Sequence, residues 1–244
     1  MDNAIYVGLS RQMMLRRELD VIANNIANAD TSGFKVEDTL TKTEAKTAPR
    51  TRQSDAINFV IDDGVARNFG QGGLNQTSSP LDLAIEGQGF FTVNTPAGPR
   101  YTRDGRFTLD STGRLATQAG APVLGAGGGE IVVDPLLGPV AIAKDGTVSQ
   151  GINIIGKVEV SRFDDLASLR KDGDNLFRNV SNQTANAAPD ARIHQGMLES
   201  SNVKTIEQVT RLIEVNRAYD SISKMMADTS DLSRRSIERI GKLN

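Results

Sequence analysis

The residues that could do chemistry in this chain are few and badly placed for it. His194 is the lone histidine and there is no cysteine. Thiol nucleophiles, thiolate metal sites and multi-histidine sites are therefore excluded, and a histidine-based triad is improbable on composition. The acid pairs Asp62-Asp63 and Asp164-Asp165 are adjacent in sequence. Neighbours on a strand point to opposite faces, which suits solvated turns and not a shared carboxylate site. Gly70-Gln71-Gly72-Gly73 and Gly125-Ala126-Gly127-Gly128-Gly129 have the freedom of a phosphate loop, but the first lacks the following Lys-Ser/Thr and neither opens a βαβ crossover. Asp172-Gly173-Asp174-Asn175 offers oxygen atoms to a cation without the spaced ligands and distal Glu of an EF-hand, and reads as a turn. The expectation is a protein that is not an enzyme, with no catalytic residue, no cofactor, no metal and no small-molecule substrate.

Composition narrows the partners. Over 244 residues, 28 basic side chains meet 30 acidic ones for a net charge of -2, so no overall field draws the chain to nucleic acid. Apolar residues make up 38% with no Trp, against a usual share of about 45–50%, and there are 23 Gly. Such a chain has a modest core and many turns, and is expected to complete its packing with partners. Asp2, Arg11, Arg16, Arg17, Glu18 and Asp20 interrupt any apolar run near the start, so no secretory signal and no cleavage by that route are expected. No stretch reaches the roughly 18 apolar residues of a spanning helix, and no membrane insertion is expected.

If function does not lie in a reactive site, the long elements are where to look. Asn3 to Ala27 has no Pro and a helical rhythm that gathers Ile5, Leu9, Leu15, Leu19, Ile22 and Ile26 on one broad face. Val7, Met14 and Val21, spaced by seven, lie on nearly the opposite side and would stay wet if the helix lay on one surface only. Asn28-Ala29-Asp30-Thr31-Ser32-Gly33 should end the helix, Gly33 being able to take φ > 0. Ser201 to Ile240 is a second stretch without Pro or Gly. There Ile206, Val209 and Ile213 form one stripe, and Leu212, Val215, Tyr219, Ile222 and Met226 another. An antiparallel, coiled-coil-like hairpin of the two terminal helices would use one stripe of each and leave the other. Burying a Leu or Ile is worth about 1.5–3 kcal/mol, so self-association or a like partner is expected to cover the rest.

Between the helices, residues 36–73 read as an extended connector, with Thr39, Thr41 and Thr43 interleaved with charge and a possible strand at Asn58-Phe59-Val60-Ile61. Residues 74–199 read as a compact antiparallel β domain. Short apolar runs at Leu83-Ala84-Ile85, Phe90 to Val93, Arg106 to Leu109, Ile131-Val132-Val133, Val140-Ala141-Ile142 and Ile152 to Val160 are separated by turns such as Asp104-Gly105 and Asp145-Gly146. The predicted class is α+β: a helical assembly domain from residues 1–35 and 200–244, with the β domain inserted.

Four blocks carry a resemblance to a known family. They are Leu19 to Lys35, with Asn24, Asn25, Asn28, Gly33 and Phe34; Pro80 to Phe91; Tyr101 to Phe107; and Gln195 to Val203, continuing through Asn216 to Asp220. Together they resemble the flagellar rod and hook proteins of bacteria over nearly the whole chain. Ile26 and Asp30 depart mildly from the family pattern. Within the family, the opening Met1 to Gln12 and the short length are most like a proximal rod subunit, with a distal rod subunit as the alternative and a cell-wall-binding or hydrolysing protein a remote one. The resemblance implies export through the flagellar type III apparatus without a cleaved signal. It also implies assembly with copies and with other rod proteins into a hollow helical shaft across the periplasm. The terminal helices would line that tube and the β domain would form its outer layer.

Overall fold

The computed structural model describes residues 2–46, 57–181 and 183–241. The first element, α1 (Asp2–Ala27), runs where the apolar rhythm places a helix. It ends in the turn that follows Ala27, with the Thr31 N–H donating to the Asn28 carbonyl at 3.2 Å. The last element, α2 (Thr205–Gly241), is 37 residues long, roughly 55 Å at 1.5 Å per residue. The two pack antiparallel: Gln12 Nε2 donates to the Ser223 hydroxyl at 3.0 Å, and Asn25 Nδ2 to Gln208 Oε1 at 3.2 Å. Leu15, Ile22 and Val215 form the buried seam between them, flanked by Leu19, Ile26, Leu212, Tyr219 and Ile222.

The stretch expected as a connector is largely a hairpin. Strands β1 (Glu37–Lys46) and β2 (Ile57–Arg67) pair antiparallel from Glu37 opposite Arg67 to Lys46 opposite Ile57, with a register shift at Leu40/Thr41. The threonines at 39, 41 and 43 explain it: β-branched side chains at a period of two favour a strand whatever lies between them, here Leu40 and Lys42. Both strands pack on α1, and α1, the hairpin and α2 make one compact unit.

Asn28–Val36 and Phe69–Val203 make the other. The turn after α1 thus belongs with the β unit and the hairpin with the helices, which differs from the expected division at residues 35, 73 and 199. The β unit holds β3 (Leu74–Gln76), β4 (Leu83–Glu86), β5 (Phe90–Thr95), β6 (Gly98–Thr102), β7 (Phe107–Leu109), β8 (Leu115–Thr117), β9 (Val140–Ile142), β10 (Thr147–Gln150) and β11 (Asn153–Lys157). It continues with β12 (Val160–Arg162), β13 (Leu169–Lys171), β14 (Leu176–Asn179), β15 (Asn186–Ala187), β16 (Arg192–Gln195) and β17 (Met197–Glu199). The largest sheet has the order β13-β14-β6-β5-β12-β15, β11-β10-β9 form a second, and β7-β8, β16-β4 and β17-β3 are paired ladders, all antiparallel. The α+β class holds, with a mainly antiparallel β part.

Alternation sets the core. Leu83, Ile85, Phe91, Val93, Phe107, Leu115, Val148 and Ile193 are buried together, and Phe90, Tyr101, Phe163, Leu169 and Phe177 form a second, aromatic cluster. Ile131-Val132-Val133, expected as a strand, alternates buried and exposed but makes only an isolated bridge from Val132 to Arg114. Its backbone bonds go to the preceding turn, with Leu115 N–H donating to Ile131 O and Val133 N–H to Gly113 O.

Candidate assembly interface

On α1, the face expected to find a core does so through Leu15, Leu19, Ile22 and Ile26, while Leu9 stays exposed. The side chain of Ile5 lies outside the described residues. The opposite stripe was expected to be wet, and here the structure corrects the reading: Met14 is only 5% exposed and Val21 7%, with Val7 half-buried. The reason is the β1–β2 hairpin, which packs on α1 as well as α2 does. On α2, Val215 is buried and Leu212, Tyr219, Ile222 and Met226 are partly so, while Ile206, at 84% exposed, Val209 and Ile213 are not covered. A further exposed stripe, Tyr6, Leu9 and Met13, lies near the start of α1. Sequence reasoning missed Tyr6 and Met13 in it. Their i, i+3, i+7 spacing was the available signal, hidden because the broader apolar face of the same helix dominated.

The motif residues have specific tasks. Asn25 is buried and behaves like a piece of backbone: its Oδ1 accepts from the Glu37 N–H at 2.9 Å, and its Nδ2 donates to the Glu37 carbonyl at 2.7 Å and to Gln208. It ties α1 to the start of the hairpin and to α2. Asn24 is exposed, and Asn28 Oδ1 accepts from the Thr31 hydroxyl at 3.2 Å within the turn. Gly33 has φ +70°, and a Cβ there would lie 2.4 Å from the backbone of Arg103 and Asp104, so both conformation and space demand glycine. Phe34 is buried, with Lys171 Nζ 4.5 Å from its ring centroid.

Next to Phe34 the β unit holds a buried ion triad. Lys35 Nζ lies 2.6 Å from Glu199 Oε1, and Arg103 Nη1 3.0 Å from Glu199 Oε2. Lys35 also donates to the Gly70 carbonyl, Arg103 Nη2 to the Gly87 carbonyl, and the Gly72 N–H to Glu199 Oε1. Burial pushes Lys35 below its ordinary pKa of 10.5 despite the opposing carboxylate, and lowers Arg103 in the same way. Lys35, Arg103 and Glu199 come from three of the four sequence blocks, and the fourth supplies Gly87, so the blocks meet at this one point. Spacing could not have revealed it, because the partners are 68 and 96 residues apart, and Lys35 and Glu199 164 apart.

The groups first considered for chemistry are engaged structurally. His194 Nε2 is 2.8 Å from Glu86 Oε2, and this hydrogen bond holds the Glu86 carboxyl below its ordinary range. Asp165 accepts from the Ala167 N–H, and Asp164 from Asn186 Nδ2. Asp172 to Asn175 form the turn joining β13 to β14, with Asp174 and Asn175 both at positive φ. The side chains of Asp62 and Asp63 lie outside the described residues. Among the described residues no three histidine or acidic groups are placed to hold a metal, and no helix is long and apolar enough to cross a membrane. Apolar side chains remain exposed in both units, Ile206, Tyr6 and Met13 on the helices and Leu136, Ile152 and Ile154 in the β part.

Comparison with known proteins identifies the lineage. Residues 5–35 match the family described as flagella basal body rod protein, 84–150 the flagellar hook protein FlgE/F/G D1 domain, and 194–239 the C-terminal family of flagellar basal body rod FlgEFG proteins. The flagellar basal-body rod protein FlgF of Caulobacter vibrioides is 58% identical, with all of both chains covered. That of Mesorhizobium japonicum is 35% identical over 99% of each, and FlgG of Bacillus subtilis is 33% identical over 94% of this chain and 96% of its own. The chain belongs to the flagellar rod and hook family and is a structural subunit of the basal-body rod, FlgF-like in preference to FlgG-like. Membership places it in the flagellar basal body, in assembly with other rod proteins.

Proposed function

We propose that this chain is an axial subunit of the proximal rod, joining copies of itself and related rod proteins in a hollow helical shaft that transmits torque and leaves a channel for export. It reaches its place through the flagellar type III apparatus without a cleaved signal, and the shaft it joins crosses the periplasm. The terminal helices act as a coiled-coil-like hairpin that carries assembly, and the β unit forms the outer layer. The observation that carries this reading is the uncovered stripe of Ile206, Val209 and Ile213 on a helix of 37 residues, in a chain 58% identical to a rod protein. Ile206 is 84% exposed, Val209 41% and Ile213 48%, so contact with neighbours recovers a share of the about 1.5–3 kcal/mol that complete burial of each is worth. No reactive site is needed for that task.

The test uses residues whose change does not touch the fold. Met14 and Val21 are unsuitable, being buried inside the subunit. Replacing Ile206, Val209 and Ile213 together with Ser is expected to abolish incorporation into basal bodies and motility, while circular dichroism and export into the periplasm stay as in the parent. Normal motility of that triple variant overturns the reading.

A further inference from the structure

We propose that the buried triad of Lys35, Arg103 and Glu199 is a clasp that closes last: the β unit stays open until Glu199 arrives, and locks when its carboxylate enters between the two cations. Only the use of such a clasp rests on the export reading above, since a chain still open is the form that a narrow channel admits.

The triad sits where the chain enters and leaves the β unit. Glu199 ends β17, and Lys35 lies in the stretch 28–36 that opens the unit. Around it separate stretches of chain are sewn together by bonds that all need residues 199–202. The Gly33 N–H donates to the Glu199 carbonyl at 2.7 Å, the Gly72 N–H to Glu199 Oε1 at 2.9 Å, the Ser200 N–H to the Gly73 carbonyl at 2.8 Å and the Asn202 N–H to the Phe34 carbonyl at 3.4 Å. Two ladders wait on the same C-terminal block, because β4 pairs with β16 and β3 with β17. Elsewhere the unit closes locally: the Leu115 N–H donates to the Ile131 carbonyl and the Val123 N–H to the Leu115 carbonyl, within one short stretch of chain.

Charge makes the closure conditional. The side chains of Lys35 and Glu199 are fully enclosed and that of Arg103 is 4% exposed. Without the carboxylate the site would hold two like charges away from water, which costs more than leaving the stretch 28–36 undocked. The triad is also a poor source of stability, for it keeps an uncancelled positive charge, and Arg103 Nε finds no acceptor among the described residues. A buried ion cluster is often no more stabilising than apolar side chains of the same volume, so dependence on the third member is what it adds. Distance sets the delay. Glu199 is 96 residues from Arg103 and 164 from Lys35, so loop closure places this contact after the local ones. On a growing chain those 96 residues take about 5–20 s at roughly 5–20 residues per second, an interval in which both cations stay in water.

The test follows refolding of the full chain from urea by pulsed hydrogen exchange. The amides of Gly33, Gly72, Ser200 and Asn202 are expected to gain protection together, and after those of Leu115 and Val123. Protection of the clasp amides with or before Leu115 and Val123 overturns the proposal. Glu199→Gln then asks whether the carboxylate is the lock. It should leave the Leu115 and Val123 phase within about twofold of the parent and speed unfolding of the β unit by about a hundredfold or more. Slowing of the early phase by as much as unfolding is sped overturns the proposal, because the triad then belongs to the folding nucleus. Should Glu199→Gln not fold, the order of protection in the parent chain decides alone. In cells, the share of Glu199→Gln chain that reaches the periplasm should equal or exceed the parent's, since that chain never locks. A share clearly below the parent's overturns the link to export and leaves the rod reading standing, as neither measurement involves contact between copies.

Discussion

In the β unit, Leu83, Ile85, Phe91, Phe107, Leu115 and Ile193 are shut away from solvent, a second aromatic cluster packs beside them, and even an ion triad is enclosed. In the helical unit the fully buried seam between the helices is Leu15, Ile22 and Val215, and apolar side chains such as Met13 and Ile206 remain in water. Both units leave apolar side chains in water, Leu136, Ile152 and Ile154 in the β unit among them, but the β unit encloses two clusters within the chain where the helices share one thin seam. A long helix pair with a thin seam gains most of its stability from tertiary contact and not from propensity, so its order should depend on neighbours. The β unit should not. Division of labour in a shaft subunit follows: a rigid body formed by one chain, and a joint completed by many.

The sharpest break in that contrast is at Glu199. Removing it leaves Lys35 and Arg103 buried with no carboxylate, a change that costs about 3–5 kcal/mol. Glu199→Ala should lower the unfolding free energy of the β unit by that amount, seen as a lower urea midpoint for its transition, with hydrogen exchange accelerated in β4, β5 and β17 while α1 and the middle of α2 keep their protection. Equal acceleration in both units would show that they do not unfold separately.

Core truncations measure the same contrast from the apolar side. Phe91→Ala should cost about 3–5 kcal/mol, since the site is enclosed on every side and cannot collapse. Leu15→Ala in the thinner seam should cost about 2 kcal/mol, the low end for such a change, because the helices can close over the gap. Thermal unfolding followed by exchange of the two units separately checks the order of the two effects.

In the turn that follows α1, within the β unit, Gly33→Ala forces a Cβ to within 2.4 Å of the Arg103 backbone at φ +70°. The backbone there must shift, with an expected loss of about 1–3 kcal/mol and weaker docking of Phe34. Because Gly33 N–H donates to the Glu199 carbonyl at 2.7 Å, the strain should also be felt as faster exchange at residue 33 itself.

What could be read from sequence follows the same divide. Helix positions were legible because apolar residues recur every three or four positions over long Pro-free runs, and β5 and β9 because short apolar runs are bounded by turns. Of the hairpin, β2 was legible in part through the apolar run Asn58-Phe59-Val60-Ile61, but β1 was not, since Thr39, Thr41 and Thr43 stand among Leu40, Lys42 and Glu44 with no apolar alternation, and the pairing stayed unseen. That omission propagated: without the hairpin, Met14 and Val21 looked uncovered. The α2 stripe of Ile206, Val209 and Ile213 was legible, but the same spacing at Tyr6, Leu9 and Met13 was masked by the broader apolar face of α1. The triad of Lys35, Arg103 and Glu199 depended on long-range topology that no local pattern encodes.

A smaller effect distinguishes surface from seam. Val209→Ser alone removes an exposed side chain, so stability should change by no more than about 0.5 kcal/mol, while incorporation into basal bodies drops. A midpoint shift as large as that of Leu15→Ala would mean that Val209 already packs within its own subunit. Helicity at dilution should match the parent, and the loss should be seen only in assembled material.

The weakest of these levers is acid, and it acts on the β unit through exposed carboxylates. Glu86 lies below its ordinary 4.5 because His194 hydrogen-bonds it, and Asp110 and Asp145 lie below their ordinary 3.8, chiefly because the Thr112 and Thr147 hydroxyls donate to them. A carboxyl whose folded pKa is depressed contributes stability that is fully present above the ordinary value and lost as pH falls through the folded one. The unfolded chain takes up these protons first. The urea midpoint should therefore hold between about pH 7 and 5 and decline below about 4.5, each group adding little because it is solvated. Thr112→Val with Thr147→Val should flatten that decline by lowering the neutral midpoint toward the acid one, because the stability lost on acidification is the part these hydroxyls supply at neutral pH. A midpoint that rises on acidification would mean that the unfolded chain holds these carboxylates more strongly charged than the folded one does.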